Sequence, residues 1–131
     1  MIHILVVSLN PGNLAFYTKL LMREQFEVTA VLTAEQGLEY LITHPAPCVV
    51  LVDVTMPADP LIDFLTTIAF TPLLRRNTIV YAGIGAMTLH LRSEAVHLME
   101  TIGMSLIDLN EGRFPLSREV TRLALRLQFP S

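Results

Sequence analysis

Tryptophan is missing from this chain, cysteine occurs once, and lysine occurs once, at Lys19. A single cysteine, Cys48, excludes an internal disulfide framework and a thiolate zinc cluster. It lies inside an apolar run and reads as a small buried hydrophobe. Charge is scarce as well: 16% of the 131 residues are Asp, Glu, Lys or Arg, and they sum to −3. That balance argues against the basic footprint a nucleic-acid partner requires, so none is expected for this domain. Apolar runs are short. None approaches the roughly 18 residues that cross a bilayer, so no membrane span is expected. The opening Met1-Ile2-His3-Ile4 lacks the basic segment and cleavage site of a signal peptide, and a cytoplasmic location is the expectation. Repeats, low-complexity tracts and linkers are also missing, and residues 1–131 read as one domain.

What is abundant is apolar surface, at 52% of residues. It is organised around Cys48-Val49-Val50-Leu51-Val52-Asp53-Val54-Thr55-Met56-Pro57. Five consecutive apolar residues, three of them β-branched, are too few for an ordinary helix and read as a strand covered on both faces. The run ends on Asp53, and Met56-Pro57 then breaks regular structure. A carboxylate there either caps the following turn or sits where open α/β sheets place their chemistry.

The rest of the chain alternates. Ile4-Leu5-Val6-Val7 reads as strand one. Ser8-Leu9-Asn10 follows, and Asn10 with Pro11 starts a helix to about Gln25, with Leu14, Tyr17 and Leu21 inward. Glu27–Leu32 is a less apolar strand. Thr33 and Gln36 have capping-box spacing for a helix to about Thr43. After Asp53, Asp59-Pro60 predicts a helix to about Phe70, with Leu61, Leu65 and Ile68 inward. Thr71–Asn77 is a basic turn, and Thr78–Ala82 is strand four. A helix over about Met87–Ile102 turns Thr88, Leu91, Ala95, Leu98 and Ile102 inward and stops at Gly103. Ser105–Leu109 is strand five, and a last helix spans about Leu116–Gln128. Strict alternation of five strands and five helices predicts a parallel, doubly wound sheet with helices on both faces. The flavodoxin-like order 2-1-3-4-5 fits these lengths and brings Ser8-Leu9-Asn10 to Asp53 at the switch point.

With that order in place, the chain resembles the receiver domain of two-component response regulators over essentially its whole length. The resemblance rests on the opening Ile4–Val7 strand, on Val49-Val50-Leu51-Val52-Asp53-Val54-Thr55-Met56-Pro57, and on Gly103 before strand five. It implies that Asp53 holds the phosphoacceptor position. The family's acidic pair, which holds Mg²⁺ after strand one, falls on Ser8 and Leu9, with Asn10 beside them. Its hydroxyl residue at the end of strand four falls on Gly83, and its lysine after strand five on Asn110, with Glu111 adding the opposite charge. The aromatic switch position falls near Ile107. Of the family's phosphorylation set only Asp53 is kept. The resemblance therefore implies a degenerate receiver with weak or absent Mg²⁺ binding, no enzyme activity and no other cofactor.

Function is then expected from protein contacts, with a histidine kinase or an effector domain as partner. On the last helix Leu116, Val120, Leu123, Ala124 and Leu127 form an inward stripe, while Leu125 and Phe129 lie among Arg118 and Arg122. That outer face is a candidate homodimer or partner surface, against a bland reading of a frayed C-terminal helix. His90 and His97 are seven apart and read as solvated, not as a zinc pair. Gly83-Ile84-Gly85 lacks the third glycine of a nucleotide fingerprint, and instead predicts a small void above Asp53. Two other readings stand beside the first: a working phosphoacceptor served by a kinase, and a small α/β enzyme or nucleotide binder. Residue 131 falls just where receivers join a following domain, so a stand-alone protein and an N-terminal portion read alike.

Overall fold

The structure, a computed structural model, describes residues 3–83, 93–109 and 114–128. In chain order it holds β1 (His3–Val7), α1 (Pro11–Arg23), β2 (Glu27–Val31), α2 (Ala34–Thr43), β3 (Val49–Asp53) and α3 (Ala58–Phe70). A 3-10 turn over Leu74–Arg76, β4 (Thr78–Gly83), α4 (Ser93–Ile102), β5 (Ser105–Asp108) and α5 (Phe114–Gln128) follow. The five strands form one sheet in the order β2-β1-β3-β4-β5, with every neighbouring pair parallel. This is the flavodoxin-like arrangement that the alternation predicts.

Side-chain parity divides the core in two. Leu5, Val7, Val50, Val52, Ile79 and Tyr81 face the side covered by α2, α3 and α4. Ile4, Val6, Val49, Leu51, Val80, Ala82 and Ile107 face the side covered by α1 and α5. Every residue of β3 is buried, which is why its sequence is continuously apolar up to Asp53. Each such aliphatic side chain contributes roughly 1.5–3 kcal/mol on burial. The two layers therefore fix the sheet, and with it the position of whatever stands at the strand ends.

Element ends differ from the sequence expectation in ways the backbone explains. Helix α1 stops at Arg23 because Gln25 takes a left-handed φ of 67°. The Phe26 N–H then donates to the Leu21 carbonyl at 3.3 Å and that of Gln25 to Met22 at 3.0 Å, closing the helix in a Schellman turn. Helix α3 begins at Ala58, so Asp59 and Pro60 sit inside its first turn and Asp59 is not the cap. Proline is tolerated there because the first-turn N–H groups have no helical partner anyway. Thr33 caps α2 as expected, accepting from the Gln36 N–H at 3.1 Å. The reciprocal bond of a capping box is displaced: Gln36 Oε1 accepts from the Leu32 N–H at 3.0 Å. β2 and β5 each end one residue early, β4 continues to Gly83, and α5 starts at Phe114. Ala95 and Leu98 are buried on α4 and Ile102 packs against the same core, whereas Thr88 and Leu91 lie outside the described residues. Gly103, at φ 77°, ends α4.

Candidate functional site

Asp53 closes β3, and the alternation that turns Val49 and Leu51 toward α1 turns it the same way. Ser8 follows β1 with the parity of Ile4 and Val6, one step beyond the Val7–Val52 pairing. The two side chains meet. The Ser8 hydroxyl donates to Asp53 Oδ2 at 2.8 Å, and both residues are 0% exposed. From α1, Asn13 Nδ2 donates to the same oxygen at 3.0 Å, and the Tyr17 hydroxyl lies 3.0 Å from Oδ1. Thr55, two residues along the chain, donates to Oδ2 at 2.5 Å. The Tyr17 hydroxyl is also 3.2 Å from the Ala82 carbonyl on the paired strand.

Four uncharged donors thus enclose a buried carboxylate, in line with the rule that a buried charge must be hydrogen-bonded. Burial, and then the negative charge of Asp53, raise the Tyr17 phenol well above its ordinary range, and Tyr81 is shifted the same way. Both phenols therefore stay neutral at any physiological pH. The turn after β3 is closed by the backbone: the Met56 N–H donates to the Asp53 carbonyl at 3.1 Å, leaving the carboxylate to the side-chain donors.

A cleft of about 490 Å³ opens beside this cluster. Its wall includes Phe16, Tyr17, Val54, Gly83 and Leu109, and it carries no cationic side chain among the described residues. The open space expected near Asp53 is this cleft, with Gly83 in its wall, but the position of a side chain at Gly83 is not empty. A Cβ built there would lie 2.3 Å from Val54 Cγ2, so Val54 already fills that space.

Leu9 and Asn10 are not gathered onto Asp53. The Leu9 side chain is 39% exposed and lines a separate depression with Thr33, Leu38, Pro60 and Phe64. Asn10 caps α1, its Oδ1 accepting from the Asn13 N–H at 3.0 Å. Asn110, Glu111, His90, Phe129 and residues 84–85 lie outside the described residues. Ile107 is buried on the α1/α5 side, so the β5 residue paired with Tyr81 is Leu106, 43% exposed. On α5, Leu125 is 50% exposed, and Arg118 and Arg122 are exposed beside it. Arg122 pairs with Glu119, and this contact holds the Glu119 carboxyl below its usual range.

Asn13, Tyr17 and Thr55 are the site residues that sequence reasoning missed. A signal existed: Tyr17 lies on the inward stripe of α1, and Asn13 stands one turn before it, nearer the strand ends. Thr55 was hidden inside the very run that located Asp53.

Strand order and helix placement define a flavodoxin-like α/β fold with an aspartate at the end of its central strand. No family model matches the sequence, and no curated protein sequence matches it. Solved structures do. The chain is similar to a CheY-like response regulator receiver domain protein from Methanospirillum hungatei JF-1, at TM-score 0.76 and 17% identity, covering 96% of each chain. It is similar to a sensor protein from Polaromonas sp. JS666, at TM-score 0.78 and 17% identity, covering 96% of this chain and 98% of that one. A signal receiver domain of a signal transduction histidine kinase from Syntrophus aciditrophicus gives TM-score 0.77 and 17% identity, covering 100% and 96%. At these identities the likeness is one of fold.

Proposed function

We propose that this chain is a degenerate receiver, a signalling module of a two-component system that acts through protein contacts. The observation that carries the reading is the set of uncharged donors around a buried Asp53. A carboxylate that attacks a phosphoryl group needs a free lone pair and a cation to offset the charge of the incoming group. Here one oxygen accepts from Ser8, Asn13 and Thr55, and the other accepts one bond from Tyr17. The residue is fully buried beside a cleft with no cationic side chain among the described residues, so the cation is what is lacking. The donor set also does not fit Mg²⁺, which takes carboxylates and waters in octahedral geometry. Asp53 is the one carboxylate among the described residues lining the cleft, and Leu9 at the metal-pair position points elsewhere. The hydroxyls and the amide supply the stabilisation that metal and lysine would otherwise give, and they hold one fixed state.

The contacts are assigned to the β5 edge of the sheet. Val96 on α4, Leu106 on β5 and Leu125 on α5 are 40%, 43% and 50% exposed. Apolar side chains at this exposure on three adjoining elements fit a partner surface, with Arg118 and Arg122 at its rim. A second copy of the chain is the simplest occupant, and a kinase or effector domain uses the same face. Sedimentation over a concentration series, with and without acetyl phosphate and Mg²⁺, tests this. The expected result is self-association that ignores the phosphodonor and is lost in Leu125→Glu. A monomer at all concentrations removes the dimer, and association that appears only with the phosphodonor removes the degenerate reading.

A further inference from the structure

The end of the sheet away from Asp53 carries a second cleft, of about 350 Å³, where β4 and β5 begin. Arg75 and Arg76 enter it from the 3-10 turn, Thr78 and Ser105 from the strand starts, and Arg122 and Arg126 from α5. Four of the nine cationic residues of a net-negative protein therefore meet at one small cleft. Gathering like charges this way opposes folding, so stability does not account for the cluster.

The four are not equivalent. Arg75 is braced by donating Nη2 to the Thr101 carbonyl at the end of α4, at 3.2 Å. Arg122 is braced by Glu119, which accepts in turn from the Ser105 hydroxyl at 3.3 Å. Arg76 and Arg126 have no ion-pair partner among the described residues. Two guanidinium groups are thus positioned in advance and two present open forks, and preorganisation of this kind lowers the cost of binding. Every cation in the cleft is an arginine, the residue whose planar fork meets two phosphoryl oxygens at once. Glu119 cancels one charge and leaves the cleft three positive. A diphosphate carries about −3, from about −1.5 or more on each phosphoryl group.

We propose that this cleft binds a ligand bearing two adjacent phosphoryl groups. The reading is independent of Asp53, because Gly83 and Thr78, at opposite ends of β4, line the two clefts separately. The same chemistry is offered by a soluble diphosphate and by a doubly phosphorylated lipid headgroup.

The test is calorimetric titration of inorganic diphosphate into the full chain at fixed ionic strength, with sulfate as the comparison anion. Saturable one-to-one binding is expected, weakened about tenfold or more in Arg76→Ala and in Arg126→Ala and unchanged in Lys19→Ala. Both arginines are exposed, so these variants keep the fold. A parallel arm uses phosphatidylcholine vesicles with and without phosphatidylinositol bisphosphate. Tighter, arginine-dependent binding to the phosphorylated vesicles than to free diphosphate assigns a lipid source, and binding of the free anion alone assigns a soluble one. Failure of both probes to bind overturns the proposal, as does binding that both arginine variants leave intact or that sulfate reproduces equally well.

Discussion

A buried carboxylate with four donors makes a strict demand on its replacements. In Asp53→Asn the amide oxygen can take the bonds from Ser8, Asn13 and Thr55, while its NH₂ faces Tyr17. The Tyr17 hydroxyl then accepts from that NH₂ and donates to the Ala82 carbonyl, 3.2 Å away. Asp53→Ala removes the shared acceptor: Asn13 and Thr55 lose theirs, and Ser8 and Tyr17 keep only the Asn10 and Ala82 carbonyls, each at 3.2 Å. We expect the asparagine variant to stay within about 1 kcal/mol of wild type in urea unfolding, and the alanine variant to lose about 2–5 kcal/mol. Equal losses would mean that the shell does not hold the site together. The phenols give a pH signature. Tyr17 and Tyr81 are raised when folded, so their contribution is complete below the unfolded value of about 10 and is lost as pH climbs above it. Burial pushes the Cys48 thiol up to about 12, so stability should begin to fall above about pH 9 and fall more steeply above about pH 10, where phenolate absorbance should rise together with unfolding. Phenolate from these residues in a still-folded protein would contradict the burial. At this scale the sequence was half legible. Asp53 announced itself by ending an apolar strand, and parity alone brings Ser8 to it. Asn13 and Tyr17 needed the packing of α1 on the sheet, which no local pattern encodes.

Among the elements, the β3–β4 pair carries the most specific constraint. Asp53 pairs with Ala82, and the Val54 N–H donates to the Ala82 carbonyl at 3.0 Å, locking the turn after β3 against β4. Val54 then fills the place a side chain at Gly83 would need. Gly83→Ala should cost about 1–3 kcal/mol by overpacking. Val54→Ala added to it should return part of that loss, so the double-mutant cycle should be strongly non-additive. Additive effects would mean that the backbone at Gly83, and not the contact, sets the cost. Strands and helices were legible because burial on both faces makes the central strands short continuous apolar runs and packing on the sheet gives the helices inward stripes. Their ends were not. Gln25 ends α1 in a left-handed turn that a glycine would have advertised, and Ala58 starts α3 ahead of the residues that look like its cap.

Across the whole molecule, the sheet separates two chemistries. Its carboxyl end holds one buried anion satisfied by neutral donors, and its amino end gathers arginines. Between them runs the β5 edge, where apolar side chains reach solvent on α4, β5 and α5. The fold is the flavodoxin-like arrangement shared with solved receiver domains, and that arrangement was legible from element order, whereas the receiver resemblance needed the motif around Asp53. Among the described residues no helix is long and apolar enough to cross a membrane. We propose that Asp53 stands at the phosphoacceptor position of this fold and serves there as a fixed polar contact. Intact mass after incubation with acetyl phosphate and Mg²⁺, run beside Asp53→Asn, tests it most directly. The account predicts one unmodified mass for both proteins, each still folded. A phosphoryl adduct on the wild type that disappears in Asp53→Asn would contradict it and make this chain a working phosphoacceptor.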